Sequence, residues 1–324
     1  GSLAVDESWT IDGEALPPAT AAALADLDGD GDLDAYLGRS DGLDDVLLTN
    51  TGGGFSVTPL GGAEIASWTG AFADADGDGD LDLIVAGRVL DIDPELVLSG
   101  KQVGEPNVLY INSGGTFTRD DARIPQETNH GLTFQVSWID ADGDGDLDLY
   151  EANDWGFDVV ENRLLLNDGT GYFTEATDCT CDLTMYGMGA AVGDLNHDGL
   201  PDLYVTDIGS PKLLLNLGDG SFYDGTLAAG AYIDPALGSV TSWGTTATDL
   251  NLDGCVDLAL TFGGLNAGQV DAYWGTMAGV DPEWRDEEDQ VDVILQGDCA
   301  GGFTRLTDIG YDDHPGRGLS LIHI

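Results

Sequence analysis

Short apolar runs recur along the chain, each four or five residues long: AYLG at 35–38, LIVAG at 83–87, LYEAN at 149–153, LYVTD at 203–207 and LALTF at 258–262. Their length and their β-branched and aromatic content predict strands. After a variable connection comes a second run that breaks at a Gly-rich turn and resumes at Phe: VLLTNTGGGF, VLYINSGGTF, LLLNDGTGYF, LLLNLGDGSF and VILQGDCAGGF. Apolar segments joined by Gly/Asn turns read as antiparallel hairpins. A run before each AYLG-like segment (TGAFAD, TFQVSWID, MGAAVGD, GTTATD) and one after each Phe bring the count to four strands per unit. An all-β propeller of four-stranded blades is the expected architecture. No helix-length period of 3.6 appears, and the stretches 88–106 and 266–289 read as loops on one rim. The acidic segment DPEWRDEEDQ within the second, near Trp274 and Trp284, reads as a solvated loop rather than a binding site.

The polar counterpart of this pattern is an acidic bend just before each AYLG-like run. The five copies are DLDGDGDLD, DADGDGDLD, DADGDGDLD, DLNHDGLPD and DLNLDGCVD, starting at 26, 74, 140, 194 and 249, and thus 48, 66, 54 and 55 residues apart. Such a period marks a repeat architecture. Residues 1–315 are therefore taken as propeller repeats, about five blades. Residues 316–324, where GRGLSL aligns with GMGAAV at 187–192, are taken as the start of a truncated sixth repeat or an artefactual tail.

Alternate carboxylates in a tight bend repel one another unless a cation joins them. Hard cations such as Ca²⁺ take six to eight oxygen ligands. In D-x-D/N-x-D-G-x-x-D, positions one, three and five face one way, Gly at six permits the turn, seven offers its carbonyl and nine closes the shell. The expected ligands are Asp26, Asp28, Asp30, Asp32 and Asp34 in the first bend; Asp74, Asp76, Asp78, Asp80 and Asp82 in the second; and Asp140, Asp142, Asp144, Asp146 and Asp148 in the third. The fourth offers Asp194, Asn196, Asp198, Leu200 and Asp202, and the fifth Asp249, Asn251, Asp253, Cys255 and Asp257. About five Ca²⁺ ions are expected. Asn at position three drops a charge, so bends four and five are expected to bind more weakly. His197 lies at a position facing away from the ion. A lone bend of this kind can be an ordinary Asp/Gly turn; five in the same place relative to strands point to metal. Bend three also fits the EF-hand pattern through Glu151 at position twelve, but the others carry Leu37, Val85, Val205 and Leu260 there. Glu151 is thus a coincidence or at most an extra ligand.

The residues GMGAAVGDLNHDGLPDLYVTDIGSPKLLLNLGDGSF at 187–222, with the bends, resemble the FG-GAP or VCBS-type calcium repeats of integrin α-chain propellers and bacterial relatives of cartilage acidic protein. The resemblance spans nearly the whole chain. It implies a seven-bladed propeller with Ca²⁺ in the loop between the first and second strands of a blade. The literal Phe-Gly and Gly-Ala-Pro signatures are absent, with IVAG at 84–87 in place of the latter.

Charge changes the picture of partners. With 10 basic and 60 acidic residues the formal charge is −50, which excludes nucleic acid and anionic membrane surfaces as partners. A hydrophobic content of 42% with seven tryptophans is nonetheless enough to build cores. No apolar run is long enough to span a bilayer, so membrane insertion is not expected. Four cysteines leave three options open: a Cys255–Cys299 disulfide, a Cys179–Cys181 disulfide, or free thiols. Large side chains recur six residues before the second to fifth bends, at Trp68, Phe134, Met188 and Trp243. Packing between blades is the favoured reading, and a ring facing a central channel the other. His130, His197, His314 and His323 are scattered and the carboxylates are absorbed by the bends, so no catalytic constellation is read. The expected function is a secreted or cell-surface calcium-binding propeller that recognises a glycan or protein ligand in adhesion. The alternatives are a propeller-fold polysaccharide-active enzyme and a passive spacer in a larger surface protein.

Overall fold

The computed structural model describes residues 10–11, 14–15, 19–39, 43–61, 65–89, 93–234, 241–263 and 292–307. Thr10–Ile11 (β1) and Glu14–Ala15 (β2) pair as a short antiparallel ribbon. The other strands form five four-stranded antiparallel sheets, each built from consecutive strands in chain order. Blade one holds β3 (Ala21–Ala25), β4 (Asp34–Gly38), β5 (Val46–Asn50) and β6 (Phe55–Pro59). Blade two holds β7 (Ser67–Ala73), β8 (Asp82–Gly87), β9 (Val108–Ser113) and β10 (Thr116–Arg119). Blade three holds β11 (Leu132–Ile139), β12 (Asp148–Asp154), β13 (Arg163–Asn167) and β14 (Phe173–Glu175). Blade four holds β15 (Ala190–Gly193), β16 (Asp202–Val205), β17 (Lys212–Asn216) and β18 (Phe222–Asp224), and blade five β19 (Ser242–Thr248), β20 (Asp257–Phe262), β21 (Val293–Gly297) and β22 (Phe303–Arg305). The four strands per unit expected from the hydrophobic pattern are thus present.

The core lies between blades. Leu83, Val85 and Val108 of blade two meet Tyr36 and Leu47 of blade one, while Ile84, Ala86 and Leu109 on the opposite face meet Val136, Leu149 and Leu165 of blade three. Blades three and four close over Tyr150, Leu164, Leu203 and Leu214, and blades four and five over Tyr204, Leu213, Leu258 and Leu295. A second strand covered on both faces needs apolar side chains at every position, which explains why LIVAG and LALTF do not alternate with polar residues. Each large apolar side chain buried this way contributes roughly 1.5–3 kcal/mol. Buried tyrosines keep their hydroxyls satisfied: Tyr150 donates to the Cys181 carbonyl at 3.1 Å and Tyr204 to the Ala231 carbonyl at 2.9 Å.

The 88–106 connection, read as loop, contains one helical turn, α1 (Pro94–Leu98), whose first turn is capped by Asp93 accepting from the Glu95 amide at 2.8 Å. The acidic loop at 281–290 and the tail at 316–324 lie outside the described residues. Both candidate disulfides are formed, Cys179–Cys181 and Cys255–Cys299. This resolves the three options left open by the sequence.

Candidate metal centres

Each acidic bend joins the first strand of its blade to the second. Position six is Gly in all five, at φ of 92 to 96°, a left-handed conformation that only Gly adopts without strain. Position four also turns left-handed: Gly29, Gly77 and Gly143 lie at 73 to 77°, and His197 and Leu252 take 63° and 62° despite their side chains. His197 is exposed. Two turns of the same hand bring the alternate side chains to one side.

Position one organises the loop. Asp74 accepts from the Asp78 amide at 3.1 Å and the Gly79 amide at 3.0 Å; Asp194 and Asp249 repeat both bonds. Position five accepts from the amide of position seven at 2.9 Å in every bend, through Asp30, Asp78, Asp144, Asp198 and Asp253. Among the described residues, three groups have carboxylate oxygens within 4.8 Å of one another: Asp26, Asp28 and Asp34; Asp74, Asp76 and Asp78; Asp140, Asp142 and Asp148. These groups are able to hold a metal ion. Burial, with the charges of Asp144 and Asp140 adding to it, pushes Asp142 above the usual carboxylate range. The second bend supplies the sharpest test of fit, because Asp76 Oδ1 is shielded from solvent and has no hydrogen-bond partner. An orphaned carboxylate oxygen beside two other carboxylates suits a cation and little else. Asp76 Oδ2 faces Arg123 Nη1 at 3.4 Å.

Bends four and five differ. Asn196 Nδ2 donates to Asp198 Oδ2 and Asn251 Nδ2 to Asp253 Oδ2, both at 2.9 Å. The amide at position three therefore answers part of the charge that a third carboxylate adds in the other bends.

Position nine has a role that the sequence reading did not assign. Asp34, Asp82, Asp148, Asp202 and Asp257 are buried, and each spans two backbone amides. One oxygen accepts from position two of its own bend, as Asp82 does from Ala75 at 2.9 Å. The other accepts from the end of the third strand: Asn50, Asn112, Asn167, Asn216 and Gly297, at 2.7 to 2.9 Å. This carboxylate staples the bend to the neighbouring hairpin. Burial raises Asp82, Asp148 and Asp202 to about 6, the backbone donors offsetting only part of that cost. The sequence signal was the Asn that recurs before the Gly-rich turn in blades one to four. Its Nδ2 reaches the carbonyl at position eight of the bend, from Asn112 to Leu81 at 3.1 Å, Asn167 to Leu147 at 3.0 Å and Asn216 to Pro201 at 2.9 Å.

At position seven, expected to act through its carbonyl, Asp80 also accepts from the Gly114 amide at 2.6 Å, and Cys255 is tied to Cys299. Glu151, the EF-hand coincidence, lies in the middle of β12, fully buried and paired with Arg163 at 2.6 Å. Its carboxylate belongs to a buried ion pair. Trp68, Phe134, Met188 and Trp243 do both things the sequence allowed. They pack on one another, with Phe134 5.5 Å from Trp68 and 6.2 Å from Trp243, and they also line one cavity.

Consecutive four-stranded blades, each with a carboxylate bend between its first two strands, define a repeat-built β-propeller protein. The FG-GAP-like repeat profile matches residues 26–85, 152–205 and 194–260, more than half of the chain, and the protein belongs to that family. No curated protein matches it. Among solved structures it is similar to a lectin from Agrocybe aegerita that recognises non-reducing terminal N-acetylglucosamine, with 18% identity, a TM-score of 0.51, and coverage of 89% of this chain and 66% of the lectin. The chain thus spans just under two thirds of the lectin's length. It also matches a putative exo-β-1,3-galactanase from Bifidobacterium bifidum, with 10% identity, a TM-score of 0.47, and coverage of 94% and 96% of the two chains. A third match is the V. cholerae biofilm matrix protein Bap1, with 14% identity, a TM-score of 0.41, and coverage of 90% and 40%. The lectin likeness supports the propeller fold.

Proposed function

We propose that the protein is an extracellular calcium-binding propeller that recognises a glycan or protein ligand in adhesion and carries out no chemistry of its own. The observation that carries the calcium reading is the second bend, where Asp76 Oδ1 is buried without a partner beside Asp74 and Asp78. Every donor there is a hard oxygen, the ligand type Ca²⁺ selects. Asp74, Asp76 and Asp78 would hold the ion, with the Asp80 carbonyl and the remaining lone pairs of Asp82. Bound calcium would supply positive charge that lets the carboxylates of one bend approach one another. The same positions serve in the other bends, with Asn196 and Asn251 giving amide oxygens.

The extracellular reading draws support from the two disulfides, since such bonds persist in oxidising compartments. No helix of the described residues is long and apolar enough to cross a membrane. Calcium outside cells suits sites of modest affinity, of the order of 10⁻⁴ to 10⁻³ M. A formal charge of −50 argues against nucleic acid and anionic lipid as partners. Calorimetric titration of chelator-treated protein with Ca²⁺, followed by thermal melts, tests the metal half: saturable heat and a raised melting temperature are expected. Absence of both would overturn it. A glycan array run with calcium tests the other half, where retention without product release is expected and release of product would point to an enzyme.

A further inference from the structure

The Gly-rich turn of one blade rests on the acidic bend of the blade before it. A Cβ placed on Gly171 in the blade-three turn would meet Asp76 Cβ at 3.2 Å; one on Gly220 in blade four would meet Asp142 Cβ at 3.6 Å, and one on Gly301 in blade five Asn196 Cβ at 3.0 Å. Position three of bends two, three and four is thus half-buried under a neighbour, whereas Asp28 of bend one is exposed. Whatever binds at position three of these bends lies against a seam between two blades.

The seam over bend two also holds a cation. Arg123 ends a single helical turn, Asp121–Arg123, between β10 and β11. Its Nη1 lies 3.4 Å from Asp76 Oδ2 and donates to the Thr170 carbonyl of the blade-three turn at 2.7 Å. Its guanidinium carbon is 5.0 Å from the Tyr172 ring centroid, and its Nε donates to Asp120 at 3.1 Å. The side chains of Arg123 and Asp76 are each 16% exposed, so solvent screens this pair less than one on the open surface. At the same place in bend three, Asp142 makes no ion pair among the described residues.

Asp76 divides its oxygens. Oδ2 answers the guanidinium, while Oδ1 is shielded from solvent with no hydrogen-bond partner, in a group with Asp74 and Asp78. A calcium ion taken up through Oδ1 therefore shares one carboxylate with Arg123. In metal-free protein the guanidinium offsets part of the repulsion among the three carboxylates, which makes the empty bend less costly; in loaded protein it repels the ion. Both effects lower affinity. Holding Asp76 in place works the other way, yet the entropy of one short side chain is small beside a unit charge acting on a divalent ion. We infer that Arg123 is a resident counter-cation for bend two: it braces the seam between blades two and three when calcium is absent, and it makes bend two a weaker calcium site than bend three. The inference rests on the calcium reading above and assigns that site a residue that sets its affinity.

The test is calorimetric calcium titration of the full chain at low ionic strength, with thermal melts in calcium and in chelator. In the parent, Asp78→Ala should remove a weaker component of the heat than Asp144→Ala does; the reverse order overturns the assignment even if no variant at Arg123 folds. Arg123→Gln should bind calcium at bend two roughly three- to thirtyfold more tightly, the size of a unit charge acting on a divalent ion across a few ångström of water-like medium. The gain should shrink as salt is raised. Arg123→Lys, which keeps the charge, should stay near the parent. In chelator Arg123→Gln should melt below the parent, and calcium should narrow that gap, whereas a brace with no part in binding would leave the same gap in both solutions. With Asp78→Ala as background, calcium should no longer narrow it. Unchanged or weaker bend-two affinity in Arg123→Gln, an equal gain in Arg123→Lys, or an equal melting gap in calcium and chelator each overturns the assignment. A parent that takes up no calcium overturns the calcium reading and this inference with it; calcium uptake at bend two that ignores Arg123 overturns this inference alone.

Discussion

Blades one to four fasten their acidic bend to the neighbouring hairpin with an asparagine, whereas blade five does so with a disulfide. In blade three Asn167 donates to the Ala75 and Leu147 carbonyls at 2.7 and 3.0 Å and accepts from the Gly169 and Gly171 amides at 3.2 and 3.1 Å, so one side chain knits two blades and a turn. Blade five has Gly297 at that place, and a Cβ there would meet the Val256 carbonyl oxygen at 2.2 Å. The asparagine latch cannot form without moving backbone. Cys255, at position seven of the bend, instead bonds Cys299 two residues beyond Gly297. Cys299 adopts φ of 58°, the left-handed place held by Gly169 and Gly218 in blades three and four. The same mechanical demand is met by hydrogen bonds where a side chain fits and by a covalent bond where it does not.

The largest way to break this comparison is to open the covalent latch. Cys255→Ser with Cys299→Ser releases a loop with a sequence separation of 44 and is expected to cost about 3–4 kcal/mol, read by denaturant melts in calcium. Gly297→Asn in that background should worsen stability, because the restored side chain collides with Val256. Next in size, Asn167→Ala removes four hydrogen bonds and leaves buried carbonyls and amides without partners, an expected loss of about 2–3 kcal/mol. An effect of that size in blade three beside an unaffected calcium heat would show the latch and the metal sites to be separable.

A smaller change sharpens the contrast between all-Asp and Asn-containing bends. Asn196→Asp replaces the amide that faces Asp198 with a third carboxylate. It is expected to lower the melting temperature in chelator, to raise it in calcium, and to add heat to a calcium titration. Equal melting in both solutions would show that bend four takes no metal. The smallest expected effect is with pH. In metal-free protein Asp82, Asp148 and Asp202, raised by burial to about 6, hold protons that the unfolded chain has released. Their stabilising contribution is therefore complete below the ordinary carboxylate range and is lost as pH rises through about 6. Asp207, also raised by burial, to about 7, acts in the same direction. Chelated protein should melt lower at pH 7 than at pH 5, and calcium should flatten that slope or reverse it.

The repeat, its bends and its hairpins were legible because each is a local pattern, with turn glycines and carboxylates at fixed short spacings. The strands were legible as runs; that the second strand is buried on both faces came from the structure. What escaped was long-range. The staple from Asp82 reaches Asn112, 30 residues on, and that from Asp257 reaches Gly297, 40 residues on. Arg88 and Asp154, 66 residues apart, carry no sequence mark of being partners, although Arg88 follows and Asp154 ends the second strand of adjacent blades. Glu151 shows the converse, since a motif position that invited a metal role is occupied by a side chain committed to Arg163.

By itself, then, the sequence determined the blade as a unit and the placing of carboxylates in its first turn, since both depend on φ preferences and side-chain alternation within some ten residues. Only the tertiary structure decided which of those carboxylates also brace the backbone, which cysteines join, and that four large side chains from four blades share one cavity wall. Those outcomes depend on how neighbouring blades pack, and close packing is settled between residues far apart in the chain.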